Sequence, residues 1–300
     1  VSVVTHAPAE RHAELLRLAT IASVTTASLL IVVKLGAWLV TGSVSVLASL
    51  IDSLLDAAAS VINFMAVRYA LMPADAEHRF GHGKAEYLAG LAQSTFIGGS
   101  AIFLVLISID RLLHPQPVQQ VTVGVAVMGF SIVATAVLLA IQHHVIRRTQ
   151  SVAIRADALH YATDFLTNAS IIVALLLAAY GWPGFDPLFA LGISAYILYS
   201  AWRIGYEAVQ LLMDRELPED IQEGIRRIAM VHPHVRRIHD LRTRKAGHIQ
   251  FIQLHLEMDG DIPLSQAHTI GDEVTAQIEQ AYPGADVLIH HDPYDPDQPR

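Results

Sequence analysis

The chain has 300 residues, 53% of them hydrophobic and only 16% charged, and a mean hydropathy of +0.41. That composition belongs to a polytopic membrane protein and not to a soluble one. A formal net charge of −8 gives no basis for a nucleic-acid partner, and the absence of Cys excludes disulfides and thiolate ligands. Any metal site must therefore draw on Asp, Glu, backbone, water or the 16 His.

In chain order, apolar stretches near the about 20 residues that cross a bilayer occupy 15–41, 44–70, 86–112, 119–146, 152–180 and 185–212. The first is read as a span, because no short apolar segment with a small-residue cleavage site marks a signal peptide. Weak breaks separate the six: Thr41-Gly-Ser43, the polar stretch 73–84, His114-Pro-Gln-Pro117, Arg147-Arg-Thr-Gln150 and Gly181-Trp-Pro-Gly184. Arg11, Arg17, Arg68, Arg79, Lys84, Arg147, Arg148, Arg155, Arg203 and Arg215 flank one side of these spans, whereas the first, third and fifth loops hold only Arg111. Basic residues collect on the cytoplasmic side, so both termini are expected there.

Two spans carry ionisable pairs. Asp52 and Asp56 lie four residues apart in the second, and His160 and Asp164 repeat that spacing in the fifth. An ionisable group at mid-membrane costs about 2.5–3.5 kcal/mol, so three carboxylates carry about 8–10 kcal/mol that packing alone does not explain. A four-residue step puts both members of a pair on one helix face. Two such faces opposed give three carboxylates and one imidazole, a four-ligand divalent-metal site where a transporter needs it. Three oxygens and one nitrogen suit Zn²⁺, with Cd²⁺ and Fe²⁺ as alternatives, whereas Mg²⁺ prefers octahedral oxygen and water. Asp157, one turn before His160, is read as a pairing or cation-access residue and not a ligand, and Lys34 in the first span needs a partner that the sequence does not name.

The second loop holds Asp75-Ala-Glu-His78-Arg-Phe-Gly-His82, in which Asp75, His78 and His82 converge if the segment turns helically, with Glu77 a bystander. After Asp214 the pattern becomes soluble. Leu217-Pro-Glu-Asp220 opens a helix to about residue 230, 235–245 and 248–258 read as strands, 263–282 as a helix and 286–291 as a strand. The order α-β-β-α-β predicts a small α+β, ferredoxin-like domain. The expected organisation is thus a transmembrane domain over 1–213, a cytoplasmic domain over 214–292 and a polar tail over 293–300. In the soluble part His290 and Asp292 share a strand face while His291 between them points the other way. Lys84 and Asp214, at cytoplasmic ends of the third and sixth spans, could form an ion pair that couples the domains.

The paired Asp52/Asp56 and His160/Asp164 motifs, the six spans and the αββαβ domain together resemble the cation diffusion facilitator family, in its bacterial ferrous-iron and zinc efflux branch. Gly42-Ser-Val-Ser45, Phe80-Gly-His-Gly-Lys84, His239-Asp-Leu-Arg-Thr-Arg244 and Gln253-Leu-His-Leu-Glu257 are similar to strings of that branch. The motifs are weak singly and specific in combination. The resemblance implies a second metal site at Asp75, His78 and His82. It also implies a binuclear zinc site at His239, His255, His268, His290 and Asp292, with Asp292 available to bridge; His232 and His234 do not match. It further implies a homodimer in the bacterial inner membrane, surrounded by lipid.

No nucleotide-binding string is present, because Gly81-His-Gly-Lys84 has the wrong spacing and is followed by Ala85. Carboxylates and neutral His bind metal only when deprotonated, so metal and protons compete for one site and proton/metal antiport needs no other engine. The expected protein is a transporter and not an enzyme. An intramembrane aspartyl protease would use a Gly-x-Gly-Asp string, which these spans lack, and has no role for a His-Asp pair. A metal-gated channel or a metal sensor is the remaining alternative.

Overall fold

The computed structural model describes residues 6–42, 44–113, 122–179 and 186–296. Ser43 and the breaks at 114–117 and 181–184 lie outside the described residues, as do positions 297–300 of the expected tail. Six long helices come first: α1 (His6–Thr41), α2 (Val44–Ala70), α3 (Lys84–Leu113), α4 (Thr122–Thr149), α5 (Val152–Ala179) and α6 (Asp186–Leu212). They are followed by α7 (Glu219–Met230), β1 (Arg237–Ala246), β2 (Ile249–Met258), α8 (Leu264–Ala281) and β3 (Ala285–Pro293). The described residues of all six expected spans are thus helical. Those of α1, α2, α3, α4 and α6 contain stretches long and apolar enough to cross a membrane by length and composition. At 28 residues α5 matches them in length, but Arg155, Asp157, His160 and Asp164 interrupt its apolar run.

Residues 13–72 and 85–209 form one compact unit; residues 1–12, 73–84 and 210–300 form the other. Within the helical unit, packing relies on small side chains. Ala19, Ser23 and Ala27 repeat every fourth residue along α1 and are all buried, which allows the close helix approach that lipid, offering no hydrophobic drive of its own, demands. A Cβ on Gly90 would lie 2.7 Å from the Val152 side chain, so α3 and the start of α5 meet at a bare backbone. One apolar cluster joins Leu16, Ala19, Val67, Val145, Ala153 and Ile154. A second joins Ile97, Ala101, Leu159, Ile197 and Ala201. The start of α5 is fixed locally. Gln150 takes a left-handed φ of 54°, Ser151 Oγ accepts from Ile154 N, and Glu86 Oε1 accepts from Val152 N. Free N–H groups at a helix start are satisfied in this way.

In the other unit the observed α7-β1-β2-α8-β3 order is the αββαβ expected from sequence. The sheet order is β1-β2-β3, with β1 antiparallel to β2 and β2 parallel to β3. Alternate residues of β2, namely Ile252, Leu254, Leu256 and Met258, face a core completed by Ile225 and Ala229 of α7 and Ala267, Ile270, Val274 and Ile278 of α8. The other face of β2 carries Gln253, His255 and Glu257. β3 continues through Pro293, and Tyr294 N donates to Met258 O, so the sheet runs past the residue at which the tail was expected to begin.

Candidate metal centres

In the helical unit, Asp56 of α2 meets His160 and Asp164 of α5, with one ligand atom from each within 4.8 Å of the others. His160 Nε2 lies 3.0 Å from Asp56 Oδ1. The donors are two carboxylates and an imidazole on helices that cross at one level. Asp52 stands outside this trio and is exposed. Residues four apart on a helix hold their Cβ atoms about 5–6 Å apart, so Asp52 lies one turn from Asp56 on α2. Lys34, whose partner the sequence left open, donates to Ser53 Oγ, between the two aspartates of α2, at 2.6 Å and to Ser49 O, just before them, at 3.1 Å. Arg155 bonds Glu207, while Asp157 is fully buried among Ser23, Gln93 and Gln142.

The second cluster lies in the loop between α2 and α3. Asp75, His78 and His82 bring ligand atoms within 4.8 Å of one another, but not by helical turning as the sequence suggested. Asp75 Oδ1 accepts from the backbone N–H of Glu77 and His78 at 2.9 and 2.6 Å, an Asx turn. Gly81, at φ 78°, then reverses the chain so that the buried His82 returns to 3.3 Å from Asp75 Oδ2. The His78 N–H leads in drawing the Asp75 carboxyl below its ordinary range; burial opposes it, and the Glu77 N–H and the two imidazoles add to the lowering. The loop is seated on the sheet. Phe80 packs edge-on against Phe251 with the Arg244 guanidinium over both rings. A Cβ on Gly83 would lie 2.5 Å from the Ala246 carbonyl oxygen.

Sheet register builds the third cluster. His239 of β1 is the cross-strand partner of His255 on β2, which is the partner of His290 on β3. One row of three imidazoles therefore crosses the sheet. A bulge after His239, where Asp240 takes a φ of 47°, sets this register. Asp292 returns to the row: its carboxylate lies 3.1 Å from His239, 2.8 Å from His255 and 3.1 Å from His290. Burial pushes the Asp292 carboxyl up, but the His255 bond and the His290, His255 and His239 charges outweigh it and hold it below its ordinary range. Ligand atoms of His239, His255 and Asp292 fall within 4.8 Å of one another.

His268 is not in this row. It sits on α8, against the opposite face of the sheet, 73% exposed and 3.6 Å from Asp272. His291 points to that helix face as expected: a Cβ on Gly271 would lie 2.3 Å from its Nε2. Burial, and then the His268 and His290 charges, push the His291 imidazole below its ordinary value. Sequence reasoning missed Glu257, which is 2% exposed, lies 3.4 Å from His239 Nε2 and accepts from Arg237 Nε. Its place two residues after His255 on a strand was the available signal, since that spacing keeps a face.

Lys84 and Asp214 do pair, with Nζ 2.8 Å from Oδ1 and Arg244 adding a second cation at 3.4 Å. Burial raises the Asp214 carboxyl, but the Lys84 bond and the Lys84 and Arg244 charges hold it below its ordinary range.

Comparison with known proteins agrees with these features. Residues 20–213 match the cation efflux transmembrane domain and 217–294 match the cation efflux protein cytoplasmic domain. The cation-efflux pump FieF of Klebsiella pneumoniae is 53% identical over 284 residues, covering 95% of each chain. FieF of Citrobacter koseri is 52% identical over the same length and share. A solved CzrB structure in its Zn form is 35% identical over 29% of this chain and 99% of that one, at a TM-score of 0.27. With both parts matched and relatives of this identity spanning nearly its whole length, the chain belongs to the cation efflux family, the cation diffusion facilitators.

Proposed function

We propose that this integral membrane protein exports a divalent transition-metal cation, Zn²⁺ foremost with Cd²⁺ or Fe²⁺ as alternatives, in exchange for protons by alternating access. The observation that carries the reading is the convergence of Asp56, His160 and Asp164 on two apolar helices. A mixed carboxylate and imidazole set suits Zn²⁺ and its neighbours better than harder ions. Asp52, one turn away on α2, is the fourth ligand and completes the set with a third carboxylate. The ligands hold metal only when deprotonated. Cytoplasmic metal therefore displaces protons on binding, and protons arriving from outside displace metal after the site has turned outward. The reading supports a transport protein and not an enzyme, in the bacterial inner membrane with both termini cytoplasmic.

The other two clusters fit resident metal by their donor sets. Asp75, His78 and His82 would hold one ion and pin the loop. His239, His255, His290 and Asp292 would hold zinc, with the Asp292 carboxylate free to bridge two ions and Glu257 orienting His239. One copy of the chain does not bring His268 to that row. In a homodimer, the form we infer for this protein, an exposed His268 is available to a second copy. The functional division follows the chain, with the spans within 1–213 crossing the membrane and the part from 214 lying in the cytoplasm, its sheet running through Pro293, one residue past the 292 expected from sequence.

Zinc uptake by sealed vesicles carrying Asp56→Ala or Asp164→Ala tests the site. Both variants should insert and fold yet transport nothing, because losing a membrane carboxylate does not oppose insertion but leaves the coordination incomplete. Undiminished uptake by either would remove these residues from the path of the metal.

A further inference from the structure

Asp157 is an ionisable residue, fully buried in the helical unit, to which the transport reaction assigns no role. Three other helices grip its carboxylate. Gln142 Nε2 of α4 donates to Oδ2 at 2.7 Å, Ser23 Oγ of α1 donates to the same oxygen, and Gln93 Nε2 of α3 donates to Oδ1 at 3.1 Å. Gln142 Nε2 also reaches Ser23 Oγ at 3.0 Å. The amide oxygens of Gln93 and Gln142 are buried with no hydrogen-bond partner. A buried acceptor left unbonded is costly, so both amides have turned their N–H groups to Asp157 at the expense of their own carbonyls. The fourth neighbour, α2, joins one turn later, where Tyr161 OH lies 2.7 Å from Ser60 Oγ and donates to the Ser23 carbonyl.

Asp164 follows Asp157 by seven residues, about two helical turns, so the two lie on one face of α5, with His160 between them. Apolar contacts between helices in lipid resist rolling and sliding weakly, because lipid chains replace them at little cost. Directed bonds from three helices to one carboxylate do resist both. A roll of α5 by about 20° would carry side-chain tips about 2 Å around the axis, on a helix radius of about 5 Å. That is the length of a whole zinc–ligand bond.

We propose that Asp157 is a positioning residue of the transport site: the grip of Ser23, Gln93 and Gln142 on its carboxylate fixes the roll and depth of α5 and so aims His160 and Asp164 at Asp56. The inference rests on the reading of that trio as the transport site.

Initial zinc uptake against zinc concentration, in proteoliposomes, tests it. Asp157→Asn keeps the shape but sets an amide N–H₂ against donors. It should raise the KM for zinc at least about tenfold, the low end for loss of an orienting group. Adding Gln142→Glu to Asp157→Asn exchanges donor and acceptor, keeps one carboxylate in the knot, and should restore KM to within about threefold of the parent. A merely structural Asp157 would lower the amount of folded protein, and so the maximal rate, and leave KM alone; an unchanged KM in Asp157→Asn overturns the proposal. If that variant does not fold, Gln93→Met removes one donor at similar volume and carries the same expectation, and an unchanged KM there overturns it equally. Asp164→Ala separates the two levels. If it still takes up zinc, the reading of the site has failed; if it is inactive while Asp157→Asn keeps the parental KM, only the positioning role has failed.

Discussion

Replacing Asp292 with Ala removes the carboxylate that three imidazoles share at 3.1, 2.8 and 3.1 Å. Without metal the loss is about 1.5–3 kcal/mol, the range for a hydrogen bond to a charged group, here that between the His255 ring and the Asp292 carboxylate. With zinc the loss is larger. Metal at 100 times its Kd stabilises the folded state by about 2.7 kcal/mol, whereas a variant whose Kd has risen about 100-fold gains only about 0.4 kcal/mol at the same concentration. Zinc should therefore protect the parent about 2.3 kcal/mol more than Asp292→Ala, by the same linkage. Because the Asp292 carboxyl is held below its ordinary range by the His255 bond and the three imidazole charges against the opposing effect of burial, it is anionic at neutral pH and metal need displace no proton from it. The assay is unfolding of the detergent-solubilised chain with zinc and with chelator. Asp164→Ala and His78→Ala form the background, so that zinc reports on the sheet cluster alone. Equal zinc protection in parent and variant would refute the assignment of metal to this row.

Three further outcomes follow from the geometry. Gly83→Ala would force a Cβ to within 2.5 Å of the Ala246 carbonyl oxygen and 2.8 Å of Gly247 N. Both are backbone atoms, so thermal melts should show about 1–3 kcal/mol of destabilisation; an unchanged midpoint would show that the loop is not seated there. The Asp214 carboxyl has its folded-state pKa below the ordinary 3.8, so its stabilisation is complete above that value and is lost as pH falls through the folded pKa. The advantage of the parent over Asp214→Asn should be flat from neutral pH to about 4 and shrink below it, and an advantage that grew with acid would contradict the Lys84 pairing. His160→Asp should lower the preference for Zn²⁺ over Mn²⁺, because an all-carboxylate set suits the harder ion; an unchanged ratio in competition transport by an active variant would remove His160 from the ligands.

Much of this was legible in the sequence because the signals were local. Apolar length located six helices to within a few residues at most ends, and alternation along 248–258 located β2 and its polar face. The i,i+4 spacing of His160 and Asp164 placed both on the side of α5 that meets Asp56. What the sequence left unspecified depends on contacts distant along the chain. The His239, His255 and His290 row exists because of strand register and a bulge at Asp240; periodicity gives a face but not a register. His268 sits across the sheet from that row because α8 packs on the other face, which spacing along the chain does not encode. Asp75, His78 and His82 converge through an Asx turn and a left-handed glycine, where a helical turn was expected. The partners of Asp157 and Lys34 lie on neighbouring helices, and a buried charge announces that it needs partners without naming them.

In the proposed cycle metal and protons exchange at one site. Sealed vesicles containing the protein, with a zinc indicator and a pH indicator read together under an imposed pH gradient, test it most directly. Zinc should move one way as protons move the other, reversing the gradient should reverse the zinc flux, and Asp164→Ala should abolish both movements. Zinc flux that leaves the pH of both compartments unchanged and ignores the gradient would contradict that cycle, and would make the protein a passive metal pathway.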